Sequence, residues 1–267
     1  CDCKEARQRG LVMTQERLDL NFDGMPTTTV LQARLQLAQP TRRPKMLRRE
    51  IETPWGHGIV LGKYGQAHVD LMESIFKHVE KYRKTEDGAI ELIVDPHKVR
   101  MSAGGNKQIS GSQMDVLKLE IMQVVIDLKG NGIHDPIAGH IIDEIRTSAI
   151  KAPSRPGAIN GENRYMWYVR LGPAYVRFLQ DDLHLHYDPE PIAALTTGIA
   201  QAVARHVATH KTEPHGGWKV DGLIEAVGGG KTIKQLQNQR ADLKTDQDGL
   251  KNLGLTVEDG RVKRIVG

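Results

Sequence analysis

The chain has 267 residues, enough for one large or two small domains, each with its own core. Aromatics make up only 4% of the residues and no run approaches the ~20 apolar residues of a helical membrane span, which leaves the expectation of a soluble, cytoplasmic protein with no membrane partner. The net charge of +4 lies wholly in residues 1 to 50, which hold ten Lys/Arg against six Asp/Glu, so a basic binding surface elsewhere must come from local clustering.

The first residue is Cys1 rather than Met, so the chain is read as a fragment or processed product, and its charged start has no signal-peptide pattern. Cys1 and Cys3 are the only cysteines; they offer no disulfide framework, fit a reducing compartment, and have no nearby third ligand for a metal. Residues 1–53 lack a sustained apolar period and end in the Pro-punctuated basic run "PTRRPKMLRRE", so they are expected to form a flexible basic arm. Such an arm is either a solvated tail or an electrostatic contact to DNA.

Order is expected to begin near Pro54. Val69, Met72, Ile75, Phe76 and Val79 stand at helical spacing across residues 66–82, "AIELIVD" reads as a strand, and Asp95-Pro96 caps a short helix over 96–103. A long helix is expected over 112–129, with Met114, Leu117, Ile121, Val124, Val125 and Leu128 on one face, then a two-stranded wing over 133–150 about a Pro/Gly turn. Residues 151–164, "KAPSRPGAINGENR", read as a linker.

The order then repeats. Strands at 165–171 and 183–187 flank a short helix at 173–179, and a long helix over 191–210 leads to a short helix over 218–227. Gly228 to Gly230 form a turn, a long helix runs over 231–253, and "LTVEDGRVKRIV" closes as a hairpin with Asp259-Gly260 at its tip. The stretch "AVGGGKT" is not a phosphate-binding loop: the first glycine of that pattern is replaced by Glu225, and Val220, Leu223, Ile224 and Val227 precede it at helical spacing rather than as a strand. Helix, glycine turn and helix describe a helix-turn-helix.

The fold expected is therefore α+β, with two tandem winged helix-turn-helix domains at 54–150 and 165–267 behind the N-terminal arm. In the second domain, Ile233, Leu236 and Leu243 fall on the core side of the long helix, and Lys231, Lys234, Gln235, Asn238, Ala241 and Thr245 fall opposite. Lys, Gln and Asn suit groove reading, and Arg261, Lys263 and Arg264 follow on the wing. In the first domain Lys107, Gln108, Ser110, Ser112 and Gln113 open the long helix. Its body also carries Asp115, Glu120 and Asp127, so packing or dimerisation is an equal reading of that domain.

"HLH" at His184 to His186 matches the metal-ligand pair of HUH-type nicking nucleases, whose tyrosine nucleophile stands downstream; here the last tyrosine is Tyr187. No other catalytic or metal motif is present, so a protein with no catalytic residue, metal or cofactor is expected.

The stretch from Tyr187 to Ile265, with "ARHVATHK", a short helix, a basic helix and "LGLTVEDGRVKRI", resembles the C-terminal winged helix of theta-type plasmid replication initiators, in layout the TrfA-like group. Residues 66–150 resemble the first of their tandem winged helices. The resemblance implies binding of double-stranded DNA at repeated origin sequences (iterons), recruitment of host replication proteins such as helicase, and a homodimer that represses its own promoter. By position it places DNA contacts on Lys231, Lys234, Gln235, Asn238 and Lys244, and near Lys107, Gln108, Ser112 and Gln113. The alternatives are a dimeric winged-helix transcriptional regulator and the metal-dependent nuclease.

Overall fold

The structure, a computed structural model, describes residues 14–16, 25–105, 108–130, 133–152, 164–180 and 182–265. Cys1, Cys3, Lys107 and most of the expected linker lie outside the described residues.

The stretch read as an arm is folded from Met25 on. Strands β1 (Thr14–Glu16) and β2 (Thr28–Thr29) lead to helix α1 (Val30–Arg34), capped by the Thr29 hydroxyl, and then to strand β3 (Leu47–Thr53). Val30, Leu31, Leu35 and Leu37 are buried. They stand too irregularly for a helix or strand period, and only the surrounding core gives them a common side. The basic residues here are largely engaged in structure: Arg34 stacks over Trp55 with its centre 4.4 Å from the ring, and Arg49 donates to the Leu37 carbonyl.

Strand β4 (Gly56–Gly62) pairs with β3 and leads into α2 (Gln66–Lys77), which is buried along nearly its whole circumference. The helical period continues to Val79, but the chain turns there into the exposed edge strand β5 (Val79–Lys84), paired with β6 (Ile90–Val94). Lys81, Arg83 and Lys84 keep that edge charged. Helix α3 (Pro96–Ser102) starts on an Asp95 cap, as the Asp-Pro pair requires.

Helix α4 (Gly111–Met122) is shorter than expected. Val124, Ile126 and Leu128 are buried at period two, and the chain from Val125 to Gly130 is strand β7, not helix. A run of β-branched residues satisfies either period, and the sheet decides it. Strands β8 (Ile133–His140) and β9 (Ile142–Ala152) follow. They do not form the expected wing: β8 pairs with β7, whereas β9 pairs with β10 (Arg164–Leu171).

The boundary between the two halves is displaced as well. Strand β10 sits between β6 and β9, and Tyr175, Val176, Phe178 and Leu179 of α5 (Pro173–Gln180) belong to the first core, so the first unit runs to about residue 180 rather than 150. Strand β11 (His184–His186) then pairs with β1 and β2.

The expected helix over 191–210 is two helices, α6 (Glu190–Ala193) and α7 (Gly198–Ala208). Strand β12 (Trp218–Lys219), helix α8 (Val220–Ala226), helices α9 (Ile233–Thr245) and α10 (Gln247–Asn252), and strands β13 (Leu255–Glu258) and β14 (Arg261–Arg264) complete the second unit. Its core runs from Ile192 to Val262. Among the described residues the sheets are four, β1-β11-β2, β3-β4-β7-β8, β5-β6-β10-β9 and β12-β14-β13, all with antiparallel pairing, which makes the fold mixed α+β.

A buried ionic network joins the units. Arg205 on α7 donates to Glu73 Oε1 at 2.9 Å and Oε2 at 2.7 Å, to Asp70 Oδ1 at 2.6 Å and to Gln66 Oε1 at 2.8 Å, all on α2. Tyr187 and Gln201 add donors to Glu73 and Asp70, and Arg42 pairs with Asp70 at 3.0 Å. Burial alone disfavours the Arg205 cation, but Glu73 and Asp70 more than offset this and hold it charged.

Candidate nucleic-acid interface

Helix α8 buries Val220, Leu223 and Ile224, the spacing read from the sequence. It ends in a Schellman turn: Gly228 N–H donates to the Glu225 carbonyl at 2.9 Å and Gly229 N–H to that of Ile224 at 2.8 Å. Gly228 sits at φ +81°, and a Cβ at Gly229 would stand 2.7 Å from the Gln239 amide oxygen. Gly230 N–H donates to that oxygen at 2.8 Å. All three glycine N–H groups are therefore engaged, two on α8 carbonyls and one on the Gln239 side chain of α9, and none is left to cradle a phosphate as in a nucleotide loop.

Thr232 caps α9, accepting from Gln235 N–H at 3.2 Å. Leu243 alone of this helix is buried, and Lys231, Lys234, Gln235, Asn238, Ala241, Lys244 and Thr245 are exposed. The three lysines make no ion pair among the described residues. Arg240 forms a two-pronged pair with Asp221 of α8, at 2.6 Å through Nε, and so ties the two helices together. One expectation fails: Ile233, the first residue of α9, is 80% exposed rather than in the core.

The hairpin β13–β14 turns at Asp259 and Gly260, both at positive φ as a two-residue type I′ turn requires. Its cations are not equivalent. Arg264 donates to the Lys211 carbonyl at 3.0 Å and to those of Val207 and His210, closing the C-terminal end of α7, and Arg261 donates to the Gly217 carbonyl at 3.1 Å. These two hold the fold together. Lys263 has no ion pair among the described residues.

In the first unit, Ser110 and Gln113 form a capping box on α4, and Gln108 and Ser112 are exposed beside it. Val116 and Leu119 are 49% and 59% exposed, so α4 shows solvent a mixed polar and apolar face. Asp115 is paired with Lys118 at 2.7 Å, and Glu120 with Lys63 at 2.5 Å and with buried His68 at 3.0 Å.

An open groove of about 960 Å³ lies between the units. Ser112, Gln113 and Val116 of α4 line one side, Asp242 of α9 another, and Arg42 and Arg43 lie on the connection between α1 and β3. Gln235, Asn238 and Thr245 share the Asp242 side of α9 by helical spacing. Of the residues expected to contact DNA, Ser112 and Gln113 line this groove; from α9 the lining residue is Asp242, and the expected contacts of the second unit stand outside the lining. Arg43 belongs to the basic run "PTRRPKMLRRE", whose local spacing does not set it apart from its neighbours.

His184 faces the interior. It is buried, its Nε2 stands 2.6 Å from the Leu179 carbonyl, and burial pushes its pKa down. The Tyr187 hydroxyl donates to Glu73 at 2.6 Å. Among the described residues no group of three or more His, Cys, Asp or Glu side chains converges as a metal site, and no helix is long and apolar enough to cross a membrane.

No family model and no curated protein sequence matches the chain. Among solved structures, the crystal structure of domains 2 and 3 of RctB, a selenomethionine derivative, is similar to it at 11% sequence identity and a TM-score of 0.50, covering 88% of this chain and 95% of that one. The likeness spans both units, so the arrangement of the two halves, and not one helical motif alone, is what the two chains share.

Proposed function

We propose that the protein binds double-stranded DNA sequence-specifically and acts as a replication initiator at repeated origin sequences. The observation that carries this reading is α9: a 13-residue helix behind a Schellman turn that buries a single leucine and leaves Lys234, Gln235, Asn238 and Lys244 open, with Lys231 exposed just before its Thr232 cap. A helix held so lightly by its own core has its polar face free for a partner, and these are the side-chain types that meet base edges and phosphates in the major groove.

In this reading α7, α8, α9 and the terminal hairpin form a winged helix-turn-helix, with α3, α4 and the β7–β8 hairpin as its counterpart in the first unit. The initiator role is supported by the fold shared with domains 2 and 3 of RctB, a replication initiator, and by the TrfA-like layout of residues 187–265. It is a binding function without a catalytic step. Recruitment of host helicase machinery, and a homodimer acting at the protein's own promoter, belong to the same proposal.

The test is selection of bound fragments from a native and a random DNA library, followed by footprinting. Direct repeats of ~20 base pairs, each bound by one monomer, are the expected result. One inverted repeat bound by a dimer would move the assignment to a transcriptional regulator. Absence of any selected sequence would overturn DNA recognition altogether.

A further inference from the structure

The turn from Pro40 to Lys45 belongs to the stretch expected to be flexible, yet it is held on every side. The Gln39 carboxamide clasps Lys45, donating to its carbonyl at 2.8 Å and accepting from its N–H at 3.1 Å. The Thr41 carbonyl accepts from Gln66 N–H at 2.9 Å, the Thr41 hydroxyl accepts from Arg43 N–H at 3.2 Å, and Pro44 is buried. Gly198, at the start of α7, lies so close that a Cβ there would stand 2.3 Å from Thr41 Cα. The turn is therefore wedged between the N-termini of α2 and α7, where the two units meet.

On this rigid support the cations divide. Arg42 pairs with buried Asp70, Arg48 with Glu50, and Arg34 and Arg49 bind backbone carbonyls. Arg43 and Lys45 are exposed and make no ion pair among the described residues. Arg42 and Arg43 both line the groove that Asp242 borders, and with Arg42 held by Asp70, Arg43 is the lining cation without an ion pair among the described residues. Two cations on a preformed turn, beside a groove edged by Ser112, Gln113 and Val116 of α4 and by Asp242 of α9, match a polyanion that runs past both helices.

We infer that Arg43 and Lys45 form a fixed phosphate contact for the backbone of duplex DNA, between the two groove-facing helices. This rests on the DNA-binding reading above. The turn clamps the duplex and sets its register; it reads no base. Because the turn is ordered before binding, the contact costs little further entropy, unlike one from a mobile arm.

The experiment compares the whole chain with the R43A/K45A, R43K and K234A variants, titrating a selected duplex and a scrambled one across a salt series, with thermal melting as the folding control. R43A/K45A is expected to melt like the parent, to bind both duplexes on the order of tenfold more weakly, and to lose ~0.9 from the slope of log K against log salt for each phosphate released. R43K, which keeps the charge, should retain the slope. If K234A lowers affinity while R43A/K45A binds with unchanged slope, DNA binding stands and this contact is overturned. The contact is equally overturned if R43A/K45A weakens only the selected duplex at constant slope, the mark of a base contact. A parent chain that binds neither duplex removes the DNA-binding reading beneath it.

Discussion

Single residues on α9 can be sorted by what they could touch. Asn238 is exposed on the same side of the helix as the groove-lining Asp242 and has the amide geometry to pair with an adenine edge. Asn238→Ala is expected to relax preference at one base position by ~1–3 kcal/mol, whereas Lys244→Ala should weaken binding to all sequences alike and reduce the salt slope by ~0.9. Competition binding with single-position mutant sites separates these outcomes; if both substitutions leave binding unchanged, α9 is not the reader. His206 carries a prediction for stability. Burial, then the neighbouring His210 and Arg34, push its pKa down to about 4, so the folded protein keeps it neutral while the unfolded chain protonates it below about 6.5. The folded pKa is the lower one, so stability is expected to fall as pH drops from about 6.5 towards 4 and to be flat above, by at most ~1.4 kcal/mol per pH unit from this group. Urea unfolding at successive pH values should show a shallower slope for His206→Gln; an identical slope would assign the acid sensitivity elsewhere.

At the scale of elements, the two long helices expected near 191–210 and 231–253 are each broken, and the breaks meet. Asp246, at the junction of α9 and α10, accepts four hydrogen bonds, from Thr196 N–H at 2.9 Å and its hydroxyl at 2.7 Å, and from Thr197 N–H at 2.7 Å and its hydroxyl at 2.6 Å, at the start of α7. Thr197 is in turn the N-cap of α7. One buried carboxylate therefore stabilises two helix ends that are about 50 residues apart in the chain. Asp246→Ala leaves these donors unmatched and is expected to cost ~2–4 kcal/mol, with Asp246→Asn costing less because it keeps one acceptor oxygen. Denaturant titration of both variants checks the order; equal losses would show that the space, not the charge, matters. The periodicity of either helix continues across its break, since Leu195 and Ile199, or Leu243 and Leu250, are buried on both sides. A hydrophobic pattern registers which side is apolar and is blind to a hydrogen bond from a distant segment. The α8 helix, its glycine turn and the Asp259-Gly260 tip were legible because their signals are local: apolar spacing and positive φ.

For the whole molecule, the network around Arg205 decides how the units sit together. Arg205→Ala strands Glu73 and Asp70 in the interior with Arg42 as the only remaining cation of that network, and a loss of ~3–5 kcal/mol is expected. Adding Glu73→Gln to that variant should restore part of the loss, since burial already pushes this carboxyl's pKa up; no recovery would mean that packing rather than charge accounts for the effect. The groove between α4 and α9, and with it the proposed DNA path, depends on this junction. The sequence by itself determined the local pieces: the capped helices, the glycine turn, the terminal hairpin, the polar face of α9 and the mixed α+β character. Tertiary structure alone decided that residues 25–53 are folded, that β10 completes a sheet with β6 and β9, that Val125 to Gly130 is strand, and that Arg264 holds α7 while Lys263 is left open. The physical reason is the same in each case: these outcomes turn on partners distant in the chain, such as β6 for β10, Asp70 for Arg42 and the carbonyls of Val207, His210 and Lys211 for Arg264, and no local period or propensity encodes a pairing partner.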